Sequence, residues 1–524
     1  MNQRIYRHHT IHTGVPAAAP VTGILVQDET IVAVGDASAL AAEHRAEVIE
    51  LEGAAVIPGL YDAHIHTAGY ARDLDSVDLR GTATLEEALH RVTAHAATLP
   101  AGSWVLGGRW DSNRWTPPLQ PDRHSLDRVC ADRPVLLPSI DGHTSWVNSK
   151  ALALAGIDAD SADPVGGQIG RGDDGRPNGI LREAASWPVQ QAMQRDRHED
   201  LRSLLLRGQE QLLSVGLTSV HDIDGEDART AYLDMRDAGE LKLRVHKAIP
   251  AEHLAAAIDE GRRTGDGDDW LSTGPVKIFS DGALGSHTCQ MTRPFAGDPG
   301  NTGIAVTPFQ DMLAMAGVAV AAGIAVATHA IGDRANQLVL DVYEQLAERP
   351  PGLRLRIEHA QFLRPTDVSR MAKLGVSASM QPTHCTTDFD LVDALLDSHH
   401  LLAYAWRSVL DAKAPLAFGS DAPVEEPNPF EGLYAAITRC RADGRPCGGW
   451  QPQQRLTPAE ALTAYSLGPA IAAGQEDHKG LLTAGRLADF VAVDTDPLTA
   501  APLQIRSTAV LSTVVGGEIR WQRR

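Results

Sequence analysis

Eight short apolar segments, most of them closing on a polar or charged residue, recur along the chain: VIPGLYDAHIH, GLTSVHD, KLRVHKAI, PVKIFSDG, GIAVATHA, LRLRIEHAQ, GVSASMQP and PLAFGSDAP. A run of apolar residues bounded by polar ones reads as a strand covered on both faces, and its polar end marks where the strand meets solvent. Most stretches between the segments carry helical apolar spacing, as over residues 252–263 and 336–348. Strand-then-helix alternation builds a parallel sheet, and eight repeats of it predict an α/β fold, a (β/α)8 TIM barrel. All strand C-termini of such a barrel ring one mouth, so residues hundreds of positions apart converge there.

The gap from His66 to Gly216 is far too long for one crossover helix. Residues from about 73 to 200 therefore read as a compact insertion after the first barrel strand, with a hairpin at GGQIGRGDDGRPNG. An insertion placed there is expected on the active-site face. The two ends of the chain, GILVQDET to VIELEG and LADFVAVD to EIRWQRR, alternate apolar and polar residues and are expected to pair in one β-structure.

A formal net charge of −20 disfavours nucleic acid and anionic membrane surfaces and suits a small neutral or cationic substrate. The five cysteines form no CxxC pair, so neither a zinc ribbon nor a disulfide framework is expected, and a reducing cytoplasm is the default. The N-terminal stretch MNQRIYRHHTIHTG lacks the features of a secretory signal. The most apolar run, residues 317–327, is short of the roughly 20 residues a membrane span needs and reads as a helix end followed by a buried strand.

His64 and His66 close the first segment. Side chains two apart on a strand share a face, so both imidazoles are expected to enter the barrel mouth. Lys277, His329, His359 and Asp421 fall within or just after later strands. Each alone has an ordinary reading, as a hydrogen-bonded histidine, a turn aspartate or an exposed lysine. Together, in strand order, they compose a hydrolytic metal site with room for water. His221 and His246, at the second and third strand ends, are given no role. In the insertion, Trp110, His143 and Trp146 are candidate substrate contacts roofing the pocket, against the alternative that they form the insertion's own core.

The motifs VIPGLYDAHIH, DGHTSWVNSKAL, KIFSDGALGS, THAIGDRA, RIEHAQ, GSDAPVEEPNPF and GRLADFVAVD occur in one order along nearly the whole chain. In this the sequence resembles the amidohydrolase superfamily, in its YtcJ-like branch that includes N-substituted formamide deformylases. The resemblance implies a distorted barrel over residues 57–475, flanked by a composite β-sandwich of residues 1–56 and 476–524. It further implies that His64, His66 and Asp421 hold one divalent metal, that His329 and His359 hold a second, and that a carboxylated Lys277 bridges them. Zinc is the expected metal. A single-metal site, with Lys277 left as an amine, is compatible with the same six residues.

The expected reaction is cleavage of an amide-type C–N bond, with attack by a metal-bound hydroxide and with Asp421 moving the proton to the departing nitrogen. The same site could instead serve a deaminase or a cyclic-amide hydrolase, or attack a phosphotriester. A non-catalytic regulatory or binding protein on a retained barrel is the alternative of another class. A small amide, such as an N-substituted formamide, and a homodimer are what the resemblance suggests.

Overall fold

The computed structural model describes residues 3–117, 119–139, 144–164, 166–196, 200–350, 352–396 and 401–524. Two compact units emerge, residues 1–69 together with 201–524, and residues 70–200. Among the described residues no helix is long and apolar enough to cross a membrane.

The first unit contains the eight expected strands, β1 (Leu60–Ile65), β2 (Leu217–Asp222), β3 (Arg244–Pro250), β4 (Leu271–Phe279), β5 (Val326–Ala330), β6 (Leu355–His359), β7 (Ser377–Met380) and β8 (Leu416–Phe418). Each pairs in parallel with its neighbour in sequence, in the single order β1 to β8. Helices with an apolar stripe fill the crossovers. One of them, Pro365–Leu374, has proline in its first turn and ends on Gly375 in the left-handed conformation.

Between β1 and β8 no regular ladder forms, and the edge groups are satisfied singly. The Tyr61 amide donates to the Tyr465 carbonyl at 2.7 Å, and the buried Asp62 carboxylate accepts from the amides of His64 and Ser420, both at 3.0 Å. At the mouth, the Asp421 amide donates to the His64 carbonyl (2.7 Å) and the His66 amide to the Ala422 carbonyl (2.9 Å). This seam is narrow because it is lined by small residues. Ala63 and Ala417 cluster with Ala472 of the helix Leu467–Ala473, and Gly419 lies directly against β1.

The first predicted segment divides at Gly59. Ala55–Pro58 pairs with Phe490–Val493, and β1 starts at Leu60. A side chain at residue 59 would lie 2.3 Å from the Thr218 hydroxyl, so only glycine lets the chain pass from one sheet to the other here. The outer sheet has eight strands drawn from both chain ends. Its order runs from Glu518–Gln522 through Val510–Val515, Phe490–Val493, Ala55–Pro58, Gln3–Ile11 and Val21–Gln27 to Thr30–Gly35, with Glu47–Glu50 beside Gln3–Ile11. Ile11, Ile24, Val56, Phe490 and Val514 form its core.

The second unit is built on a six-stranded sheet. It includes the expected hairpin, Gly167–Arg171 with Pro177–Glu183. Cys130, Cys289, Cys385 and Cys440 are buried and free, and Cys447 is exposed and free.

A Cβ on Gly419 would lie 2.5 Å from both the Asp62 Oδ1 atom and the His64 amide nitrogen. Gly419→Ala must therefore push β1 and β8 apart, and a lowered denaturant midpoint equivalent to about 1–3 kcal/mol is expected. Gly317→Ala, in the helix Phe309–Ala321 with open space around the added methyl, should be neutral or stabilising by up to about 1 kcal/mol.

Candidate metal centre

The six residues singled out from the sequence line one cavity of about 400 Å³ at the C-terminal ends of the strands. His64 Nε2 and His66 Nε2 lie 3.4 and 3.6 Å from the same oxygen of Asp421, Oδ1. His64, His66 and Asp421 offer atoms close enough to share one ion, and His359, His384 and Asp421 form a second such group. The His359 ring stands 4.9 Å from that of His64 and 4.6 Å from that of His329.

Backbone geometry brings these groups in. Glu358 and His359 are consecutive on β6 and on a regular strand would face opposite ways. Both nevertheless reach His64, because His359 and Ala360 adopt φ of 70° and 44° and swing the chain round at the strand end. Asp421 has φ of 60°. Left-handed backbone at a residue with a side chain costs on the order of 1–3 kcal/mol and persists where its surroundings enforce it. For Asp421 the hydrogen bond to the His64 carbonyl does so.

Each candidate histidine ligand has one ring nitrogen engaged and the other left for an ion. His64 Nδ1 donates to Glu358 Oε2 (2.7 Å), His66 Nδ1 to Asp224 Oδ1 (3.1 Å) and His359 Nδ1 to Gln381 Oε1 (2.8 Å). His329 is turned the other way, with Nε2 donating to the Gly282 carbonyl at 3.2 Å. These contacts set the tautomer each ligand needs. Beneath them, Arg356 donates to Glu358, to the Ala63 carbonyl (2.8 Å) and to His221. Asp281 accepts from the amides of Gln290 (2.8 Å), Ile331 (3.0 Å) and Gly332 (2.8 Å), joining the loops that flank His329.

The electrostatics suit metal ligation, which requires neutral imidazoles and a charged carboxylate. Burial, aided by the charge of Lys277, pushes His64 down to about 4 and His329 to about 3. Burial and the neighbouring His329 hold His359 well below the usual histidine range. Burial opposes the Asp421 charge, yet His64, His384 and His359 outweigh it and hold that carboxyl well below its ordinary value. His66 is raised, because Asp224 and Asp421 overcome its burial. Burial brings Lys277 down to about 8, and its Nζ, in a side chain only 2% exposed, has no hydrogen-bond partner. An amine buried without a hydrogen-bond partner near the neutral His64, His329 and His359 and a carboxylate fits a metal, or an anionic carbamate on the amine, where an ammonium lacking a hydrogen bond would not.

Sequence reasoning passed over His384, which follows β7 in the first turn of the helix Pro382–Leu395. Its Nε2 donates to Asp421 Oδ2 (3.2 Å) and its Nδ1 to Glu425 Oε1 (3.4 Å). Burial lowers its pKa, but the two carboxylates win and raise it to about 10. Glu358 and Asp224 were also passed over. All three lie within four residues of a strand end, the same signal that marks the ligands.

His221 and His246 are buried on β2 and β3, where they contact Arg356 and Ser272, and neither lines the cavity. Trp110 and Trp146 are core residues of the second unit. They pack with Trp115, and their indole N–H groups donate to the Leu137 and Asp122 carbonyls, at 2.8 and 2.7 Å. Trp146 is 0% exposed and has no face left for a substrate. His143 lies outside the described residues.

Residues 47–520 match the model of the Amidohydrolase family. The chain is 31% identical over 519 residues to the N-substituted formamide deformylase of Arthrobacter pascens, covering 95% of each protein. It is 29% identical over 525 residues to the putative amidohydrolase YtcJ of Bacillus subtilis (strain 168), covering 98% of each. Among solved structures, an uncharacterized metal-dependent hydrolase from Pyrococcus furiosus superimposes with a TM-score of 0.79 at 27% identity, covering 95% of this chain and all of the other. The chain belongs to the amidohydrolase family and is a metal-dependent hydrolytic enzyme.

Two outcomes are expected. Glu358→Gln leaves the Arg356 charge buried without its counter-ion and should destabilise by about 3–5 kcal/mol, with metal affinity lowered about 10–100-fold, read by denaturation and metal titration. The second concerns His384 in metal-free protein. Its folded pKa is raised, so its contribution to stability is complete below its unfolded value of about 6.5. That contribution is lost as pH rises through about 10. Between pH 6 and 10.5 the denaturant midpoint should fall more steeply for the wild type than for His384→Asn.

Proposed function

We propose that the protein hydrolyses an amide-type C–N bond of a small molecule, using two zinc ions and a carboxylated Lys277. The observation that carries this is the Lys277 Nζ, buried without a hydrogen-bond partner, in a cavity where His64 and His66 converge on Asp421. Donors of imidazole nitrogen and carboxylate oxygen suit zinc. His64, His66 and Asp421 would hold one ion, and His329 and His359 the other. Carboxylation of Lys277 joins the free amine to carbon dioxide and releases one proton. A pKa of about 8 leaves a usable share of free base near neutrality.

When bound, the metal lowers the pKa of water and polarises the carbonyl under attack. The chain's own groups handle the protons and the geometry. Asp421 accepts a proton from the attacking water, and the departing nitrogen needs one, so a single carboxylate within reach of both completes the exchange. His384 fixes the angle of that carboxylate through Oδ2. Glu358, Asp224 and Gln381 keep the imidazoles from turning. The C–N bond breaks to give a carboxylic acid and an amine. Similarity to an N-substituted formamide deformylase supports N-substituted formamides as the first substrates to assay.

Protein purified without chelator should carry about two zinc ions per chain, and Lys277→Ala should lose both along with activity. One ion, insensitive to that substitution, would assign a single-metal site. Asp421→Asn should lower kcat by about 10²–10⁴-fold. Folded, metal-loaded protein that hydrolyses no amide or formamide would overturn the proposal.

A further inference from the structure

Two carboxylates in the cavity neither hold an ion nor move a proton in the reaction above, although Glu425 helps to orient His384. Asp388, in the helix Pro382–Leu395, accepts at Oδ2 from the Tyr404 hydroxyl (2.8 Å) and the Gln361 amide (3.3 Å). Glu425, beyond β8, accepts at Oε1 from the Thr387 hydroxyl (2.8 Å) and His384 Nδ1 (3.4 Å). Each therefore has one oxygen committed to the wall. Among the described residues, no donor meets the other oxygen, Asp388 Oδ1 or Glu425 Oε2, and both residues line the same cavity as Lys277, whose buried Nζ has no hydrogen-bond partner.

The surroundings give this pair a sign. Among the described residues, Lys277 is the only lysine lining the cavity and no arginine lines it, so a substrate carboxylate or phosphate would meet no guanidinium there and two further negative charges. His384, a cationic group on that wall, already spans Asp421 and Glu425. Burial raises the Asp388 pKa, as expected of a carboxylate short of counter-charge. Phe279, Leu284, Ile331 and Val424 give the same cavity an apolar surface.

We propose that Asp388 and Glu425 form a subsite for a cationic nitrogen group, an ammonium, amidine or guanidinium, so that the substrates are small amides carrying a basic nitrogen on an apolar body. This deepens the amide-hydrolase reading and rests on it. The two free oxygens accept N–H donors from the basic group, while the apolar surface takes the body of the molecule. Acidic amides are turned away by the same charges.

The test is calorimetric titration of the metal-loaded full chain with benzamidine, cationic at pH 7.5, and with benzyl alcohol, a neutral molecule with the same ring. Neither is an amide, so binding is read without turnover. Benzamidine is expected to bind at least tenfold more tightly. Asp388→Asn and Glu425→Gln should each reduce that advantage at least threefold, and the double variant should abolish it while leaving benzyl alcohol unchanged. Metal content and melting temperature check that the variants fold, and the comparison on wild-type protein stands without them. Equal binding of the two probes, or an advantage that survives in the double variant, overturns the subsite. A benzamidine advantage without amide turnover would refute the hydrolase reading alone, and turnover of neutral amides without that advantage would refute the subsite alone.

Discussion

Everything at the mouth of the barrel rests on a buried ion pair beneath it. Arg356 and Glu358 are almost wholly inaccessible, and Glu358 extends the pair to His64 Nδ1. A buried pair of this kind is a poor source of stability, since apolar residues of similar volume usually serve a core as well or better. What it supplies is direction. With Nδ1 protonated toward Glu358, His64 can offer only Nε2 to the cavity, and Arg356 anchors that arrangement to the β1 backbone through the Ala63 carbonyl. Asp421 then depends on His64 twice, through the backbone hydrogen bond across the seam and through the contact between side chains.

The site divides its histidines by charge. Burial lowers His64, His329 and His359, helped by the Lys277 charge at the first two and by His329 at the third, whereas the carboxylates that flank both ring nitrogens of His384 raise it. Neutral imidazoles and an imidazolium thus share the walls of one cavity. The former suit an ion, and the latter suits the alignment of Asp421.

The sequence made the barrel legible because its signal is local. Each strand is a short apolar run with a polar end, and ligand positions follow from those ends. The first run did not disclose its break at Gly59, because Pro58 and Gly59 interrupt no apolar pattern, and the need for glycine comes from Thr218, over 150 residues away. Partners such as Glu358 were hidden for a related reason. Strand alternation assigns consecutive residues to opposite faces, and the left-handed turn that brings Glu358 and His359 to one histidine leaves no mark in composition. For Trp110 and Trp146 the sequence left both readings open, because an aromatic-rich stretch looks the same whether it lines a pocket or fills a core. Only their carbonyl partners and their burial distinguish the two.

The sheet shared by both chain ends bears on the order in which the molecule is assembled. Ala55–Pro58 lies between Gln3–Ile11 and Phe490–Val493, so one edge of the amino-terminal strands stays open until more than four hundred further residues have left the ribosome. An open edge offers its amides and carbonyls to any neighbouring strand, including that of another nascent copy. Until Phe490–Val493 is made, the Ala55–Pro58 edge is therefore a template for pairing with other chains, and the arrival of that strand covers it.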